Sequence, residues 1–414
     1  MSRETILRAL SHEPGAIPVD FSSTPVTGIH VSIVRDLRRH YGLEDSPVKV
    51  WEPYQMLGEV DDELSGVLGV DTVGVAPRKT IFGFPLESWK EWRTPWGQEV
   101  LVPGGFEVDR RANGSTVIYP EGDRTARPSG ELPDGGFFFD TIVRQEPVDD
   151  ETLSVEDNLQ EFKPISDDDL AYFGDAANRV ARSDRARVFN FGGTALGDIA
   201  LVPAPFEPTP RGIRDVEEWY VSTVARREFV REIFARQTEI AIGNLKRLHG
   251  VVGEVPDVVF ICGTDFGTQT SRFCSTESFE ELWAPYYKRM NDWIHENTSW
   301  KTMKHSCGAV EPLIESFIRC GFDVLNPVQT TAAGMEKENL KARYGDRIVF
   351  WGGGIDTQHV LPFGSPDDVR EAVRRNIDVL GDGGGYVFNT IHNVQAKTPI
   401  ENIVAMIETA SEYR

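Results

Sequence analysis

The sequence predicts an α/β fold, a (β/α)8 TIM barrel with a small antiparallel β insertion after its second strand. Three observations predict it. Eight short runs rich in β-branched and aromatic residues recur along the chain, amphipathic helical stretches separate the later ones, and chemically capable polar side chains follow the runs. Strands alternating with helices make a parallel sheet, and eight such units favour a ring over an open doubly wound sheet.

In order, the runs are IPVDF (17–21), DTVGV (71–75), RVFNF (187–191), DVVFI (257–261), WKTMKH (300–305), FDVLN (322–326), RIVFWG (347–352) and GYVFN (385–389). Amphipathic helical patterns fill the gaps between later runs at 276–297, 309–321 and 365–381. From about 80 to 145 the rhythm changes to alternating apolar residues with many Gly and Pro and an Asn-Gly at 113–114, which is hairpin chemistry. The acidic stretch 146–168 reads as a surface connection back to the barrel. The expected organisation is one barrel domain over 1–414, with the β-rich insertion at 80–145 inside it.

Composition bounds the function. Of 414 residues, 40% are apolar, enough to fill a core, and 26% are charged. A net charge of −22 would repel nucleic acid and anionic lipid, so neither is an expected partner. No run approaches the roughly 18 apolar residues of a membrane helix, and MSRETILRALSHEPG carries no apolar signal region. The four cysteines, Cys262, Cys274, Cys307 and Cys320, are scattered without a disulfide-framework spacing. A reducing cytoplasm is the expected location.

In a barrel of this kind the chemistry gathers where the strands end. The first run carries Asp20 and leads to Thr24 and His30; the fourth is followed by Asp265 and Gln269; the fifth by His305 and Cys307; the sixth by Asn326 and Gln329; the seventh by Asp356 and Gln358; the eighth by Asn389, His392, Asn393 and Gln395. On extended backbone, residues two apart point the same way with Cα atoms roughly 6.6 Å apart. His305 and Cys307 can therefore share a metal, or simply pack in a core, where a buried Cys is a small apolar residue and a lone His a satisfied polar one. A narrow barrel lets a side chain beyond the eighth run meet one beyond the fifth, which makes His392 the natural third ligand. Two imidazoles and a thiolate suit Zn2+ with one position open.

With these residues in view, the chain resembles the uroporphyrinogen decarboxylase superfamily, most clearly from about 255 to 414. The carriers are GTDFGTQ, APYYKRMNDWI, HSCG, VLNPVQTTAAGM, VFWGGGIDTQHVLPFGSPDDVR and GGGYVFNTIHNVQAKTPIENI, with RETILRALSHEPGAIPVDF at the start. The superfamily includes porphyrinogen decarboxylases and zinc methyltransferases that work with methylated corrinoid proteins. In the methyltransferase branch a His-x-Cys pair and a later Cys bind zinc; His305 and Cys307 match the pair, and His392 stands at the later position. Trading thiolate for imidazole leaves a more Lewis-acidic centre. The segment DFSSTPVTGIH lacks the arginine that the porphyrinogen enzymes carry there, which turns the resemblance away from that branch.

The resemblance implies a zinc-dependent methyltransferase moving a methyl group between a corrinoid carrier protein and a thiol or methoxylated small molecule. Asp265 and Asp356 are the candidate proton acceptors. Asp20, Thr24, His30, Gln269, Asn326, Gln329, Asn393 and Gln395 are the candidate substrate contacts, Asn393 and Gln395 also supporting His392. The rival readings are a decarboxylase or lyase acting on a small organic acid, and a non-catalytic binding barrel.

Overall fold

The computed structural model describes residues 3–414. Its centre is a seven-stranded parallel sheet in sequence order: β1 (Thr72–Val75), β2 (Ala186–Phe189), β3 (Val258–Cys262), β4 (Lys301–His305), β5 (Val324–Asn326), β6 (Val349–Trp351) and β7 (Tyr386–Val387). Every neighbouring pair is parallel, and His305 stands opposite Asn326 in the β4–β5 register. β2, β3, β5, β6 and β7 are buried at every position, the pattern of a sheet covered on both faces.

The first predicted run forms no ladder strand, yet it joins the two edges of this sheet. On one side Asp20 N donates to Phe388 O (2.9 Å) and Phe388 N to Pro18 O (2.8 Å); on the other Asp71 N donates to Val19 O (2.8 Å). Pro18 has no N–H, and the Val19 N–H goes to the Asp71 carboxylate (2.9 Å) instead of a backbone carbonyl. A single bridge, Val19 to Phe388, replaces a ladder. The sheet is thereby curled on itself, consistent with a TIM-like barrel.

The curled sheet has a filled end and an open one. Val188, Val258, Phe260, Met303, Val324, Val349, Trp351 and Val387 form one buried cluster with Ile6, Ala9 and Leu10 of the N-terminal helix Arg3–Leu10. That helix is pinned where the strands begin by an Arg3–Asp257 ion pair at 2.8 Å. Chemistry is left to the other end, where the strands stop.

Helices lie where the apolar spacing puts them, with one break. The expected helix at 276–297 is two, Thr276–Leu282 and Ala284–Asn297, parted at Trp283 because Pro285 lacks the N–H to continue the first. Pro366–Leu380 starts in a capping box between Ser365 and Asp368 and buries Val369, Val373, Ile377 and Leu380 on one stripe.

Between 90 and 141 the chain forms six short strands, Lys90–Arg93, Glu99–Val102, Val108–Arg110, Thr116–Ile118, Gly130–Leu132 and Asp140–Thr141, paired antiparallel. Arg110 pairs with Thr116 around Asn113-Gly114, where Gly114 takes a φ of 88° that suits a residue without Cβ. Phe82, Phe84, Phe106 and Phe139 pack here with centroids 5.9 to 6.5 Å apart. A strand that sequence reasoning did not find, Val48–Glu52, pairs with Glu99–Val102 and lays this lobe beside the open end. No helix among the described residues is long and apolar enough to cross a membrane.

Candidate metal centre

β4 alternates its faces, so Met303 points into the buried cluster and His305 and Cys307 follow on the same side at the open end. The imidazole of His305 is fully enclosed, and its tautomer follows from its neighbour. Asn326, at the end of β5, donates its amide N–H to Trp351 O (2.9 Å), which can only accept. Its carbonyl oxygen is thereby turned to His305 Nδ1 at 2.6 Å, and Nδ1 must be the donor. Nε2 is left with a free lone pair, 3.4 Å from Cys307 Sγ and 3.6 Å from Asp265 Oδ1.

Cys307 is held from two directions. Its N–H donates to Asp265 Oδ1 (2.7 Å), and the next N–H, of Gly308, donates to Gln329 Oε1 (2.7 Å). Gly308 has a φ of 88°, and a Cβ there would run into the backbone of Gly267 and Thr268, so the turn after Cys307 requires glycine.

His392 arrives from the loop after β7. That loop is fixed by Ile391 N donating to Ile355 O (3.1 Å), by the Thr390 hydroxyl on His392 O, and by Asn393, whose side-chain oxygen accepts from Gly28 N (2.5 Å). The His392 and His305 ring centroids are 5.9 Å apart, and one ligand atom from each of His305, Cys307 and His392 lies within 4.8 Å of the others.

The donor chemistry fits a soft divalent cation. Burial pushes the His305 pKa down to about 4, against the hydrogen bond that its Nδ1 donates to Asn326. Burial, with His305 next to it, pushes His392 down to about 4, so both rings are neutral donors near pH 7. Burial, and then Asp265, raise the Cys307 thiol well above its usual range, outweighing the opposing charge of Lys304; a bound cation would favour the thiolate further. Two donors at about 2.0 and 2.3 Å from one tetrahedral ion stand roughly 3.5 Å apart, and the His305–Cys307 separation of 3.4 Å matches.

The two imidazoles, with Asp265, line a cavity of about 990 Å³. The other sequence candidates occupy different places. Asp20 is buried and receives Ser23 N (3.2 Å), Ser23 Oγ (2.8 Å), Thr72 Oγ1 (2.6 Å) and Trp351 Nε1 (2.9 Å), a knot inside the ring. Asn389 donates to Asp20 O (2.6 Å), and Thr24 bonds Thr27 (3.1 Å). His30 caps the helix Val31–His40, accepting from Ser32 N (3.1 Å) and donating to Phe137 O (2.9 Å).

Gln329 donates to Gln269 Oε1 (3.0 Å), and Gln269 donates to Gln358, a rim chain that supports Gly308. Asp356 accepts from Gln358 N (2.7 Å) and His359 N (3.2 Å) and does not line the cavity. Asn393 donates to Pro25 O (2.9 Å) and Gln55 Oε1 (2.7 Å), joining the His392 loop to the N-terminal segment, while Gln395 offers its backbone carbonyl to Thr398 Oγ1 (2.8 Å).

Sequence reasoning missed Lys304, Asp198, Glu52 and Tyr54. Lys304 is buried, donates to Thr264 O (2.6 Å) and His305 O, and lies 4.9 Å over the Phe266 ring, tying the ends of β3 and β4. Asp198, Glu52 and Tyr54 line the cavity. Asp198 follows the third predicted run and was within reach of the end-of-strand rule; Glu52 and Tyr54 sit on and after an unrecognised strand.

The uroporphyrinogen decarboxylase (URO-D) family model matches residues 144–413. Curated relatives include the uroporphyrinogen decarboxylases of Coxiella burnetii, 30% identical over 100 residues, and Methylococcus capsulatus, 32% identical over 100 residues. Each match takes in 24% of this chain and 26 or 27% of the relative, about a quarter of the relatives' own length. Among solved structures, a methyltransferase from Methanosarcina mazei superposes with a TM-score of 0.55 at 16% identity, covering 99% of this chain and 98% of that one. At that identity the likeness is one of fold.

Proposed function

The chain belongs to the uroporphyrinogen decarboxylase family, and from the site it carries we propose that it is a zinc-dependent methyltransferase. It would move a methyl group between a corrinoid carrier protein and a thiol or methoxylated small molecule. One observation carries the reading: two neutral imidazoles and a thiol, brought from the end of β4 and the loop after β7 to within 4.8 Å, stand beside a large cavity that both imidazoles line.

His305, Cys307 and His392 would hold the metal, which when bound supplies a Lewis acid that favours the anion of a coordinated thiol or hydroxyl. The remaining work falls to side chains. Asn326 keeps Nε2 of His305 turned outward. Asp265 fixes the Cys307 backbone through one oxygen; its carboxyl, raised by burial against the pull of the Cys307 N–H and Lys304, is placed to take a proton from an acceptor entering the cavity. Lys304 holds the floor strand still beneath both.

The relatives' name favours decarboxylation as the second reading. Against it, the cavity lining contains two lysines and no arginine, a poor cradle for a polycarboxylate. Zinc analysis and a methylcobalamin assay with a panel of thiols test the proposal. Expected are stoichiometric zinc, lost in the His305→Ala, Cys307→Ala double variant, and zinc-dependent demethylation. Full metal loading without demethylation by any acceptor would overturn the methyl-transfer reading.

A further inference from the structure

The charge of the cavity wall says what enters it. Seven carboxylates line it, from Glu52, Glu121, Glu161, Asp169, Asp198, Glu207 and Asp265, against Lys79 and Lys163. Three of the acids are matched: Glu121 to Lys79 (3.4 Å), Glu161 to Arg214 (2.9 Å) and Asp169 to Arg78 (3.8 Å). Glu52 and Asp198 form no ion pair among the described residues, although Glu52 is only 8% exposed.

What they do have is backbone. Glu52 accepts from Tyr54 N (3.0 Å) and Gln55 N (2.7 Å), and Asp198 accepts from Ala200 N (3.0 Å) and packs against Gly263, where a Cβ would meet its Oδ2 at 2.9 Å. Those contacts fix two carboxylates in place without neutralising them. The Tyr54 phenol lies in the field of both, and Trp51 and Phe260 also line the cavity. An unneutralised carboxylate away from bulk water is costly unless a cation visits it, and aromatic faces attract the same visitor.

We propose that this cavity takes an organic cation, an amine or quaternary ammonium group, seated between Glu52 and Asp198 beside Tyr54, with its reacting end toward the metal centre. The assignment rests on the methyl-transfer reading only for which end reacts; the recognition stands on the wall itself. Burial raises Glu52 to about 7 and Asp198 to about 6, the latter with Asp265 adding and Lys304 opposing. Asp198 in turn bears on Tyr54 and Tyr220. A bound cation favours the ionised forms, so affinity rises as pH climbs through 6 to 7 and levels above.

The test compares choline with its uncharged analogue, tert-butyl in place of trimethylammonium, and with the corresponding carboxylate, by calorimetry on the zinc-loaded protein. Choline is expected to bind about tenfold tighter than the neutral analogue, with Asp198→Asn and Glu52→Gln each removing most of that preference. Equal affinities, or tighter binding of the carboxylate, would overturn the proposal on wild-type protein alone, whatever the variants do. A silent methylcobalamin assay would instead sink the methyl-transfer reading and leave this comparison standing.

Discussion

Asn326 decides which nitrogen of His305 faces the cavity, because its own amide is committed to Trp351 O. Asn326→Ala is expected to weaken zinc affinity about 10- to 100-fold, read by competition against a chelating dye, with the fold intact by circular dichroism. The imidazoles also carry a pH signature. A histidine that protonates near 6.5 in the unfolded chain but near 4 in the fold binds fewer protons when folded, so metal-free protein loses stability as pH falls from about 6.5 through 4. In His392→Gln that loss should be shallower in thermal melts; identical slopes would contradict a buried neutral His392. His305 and Cys307 were legible because the two-residue period of a strand is local. Asn326 was singled out as a substrate contact, and its hold on His305 was not visible because it spans two strands. Asp198 and Glu52 look, in one dimension, like any solvated acid of a chain with 65 of them.

At the scale of elements, the turn after β4 is the least forgiving part of the centre. Gly308 sits at φ 88° against the Gly267 backbone, so Gly308→Ala must move one of two loops that both hold Cys307. The expected outcome is loss of bound zinc together with a lowered melting temperature, whereas Gly243→Ala, at a helical site with open space, should leave zinc bound and raise the melting temperature slightly. Apolar spacing located the helices well, since burial of one stripe is written in the sequence, but not the break at Trp283 that Pro285 imposes. Val48–Glu52 escaped because its local partner, Leu57–Gly58, is only two residues long and its longer one, Glu99–Val102, lies about 50 residues away.

For the whole molecule, the joint between the first and last parts of the ring rests on Asp71. Its carboxylate accepts Val19 N (2.9 Å) and Arg414 Nη2 (2.9 Å), both acid and base being nearly inaccessible to solvent. Asp71→Ala leaves a buried guanidinium and an amide without that partner and should cost about 3 to 5 kcal/mol in chemical denaturation. Combined with Arg414→Ala the losses should be markedly less than additive; simple additivity would show that the pair is not coupled. The alternation of runs and helices disclosed the parallel sheet, while the way the first run meets both edges depended on Pro18 and on one distant carboxylate. That joint reaches further than stability. Asp20, two residues past Pro18, grips the indole of Trp351, whose carbonyl grips Asn326, whose oxygen grips His305. The seam of the ring and the tautomer of His305 are thus links of one relay, so on the proposed metal reading a loosened seam would be felt first as a fickle appetite for zinc, well before the protein began to melt.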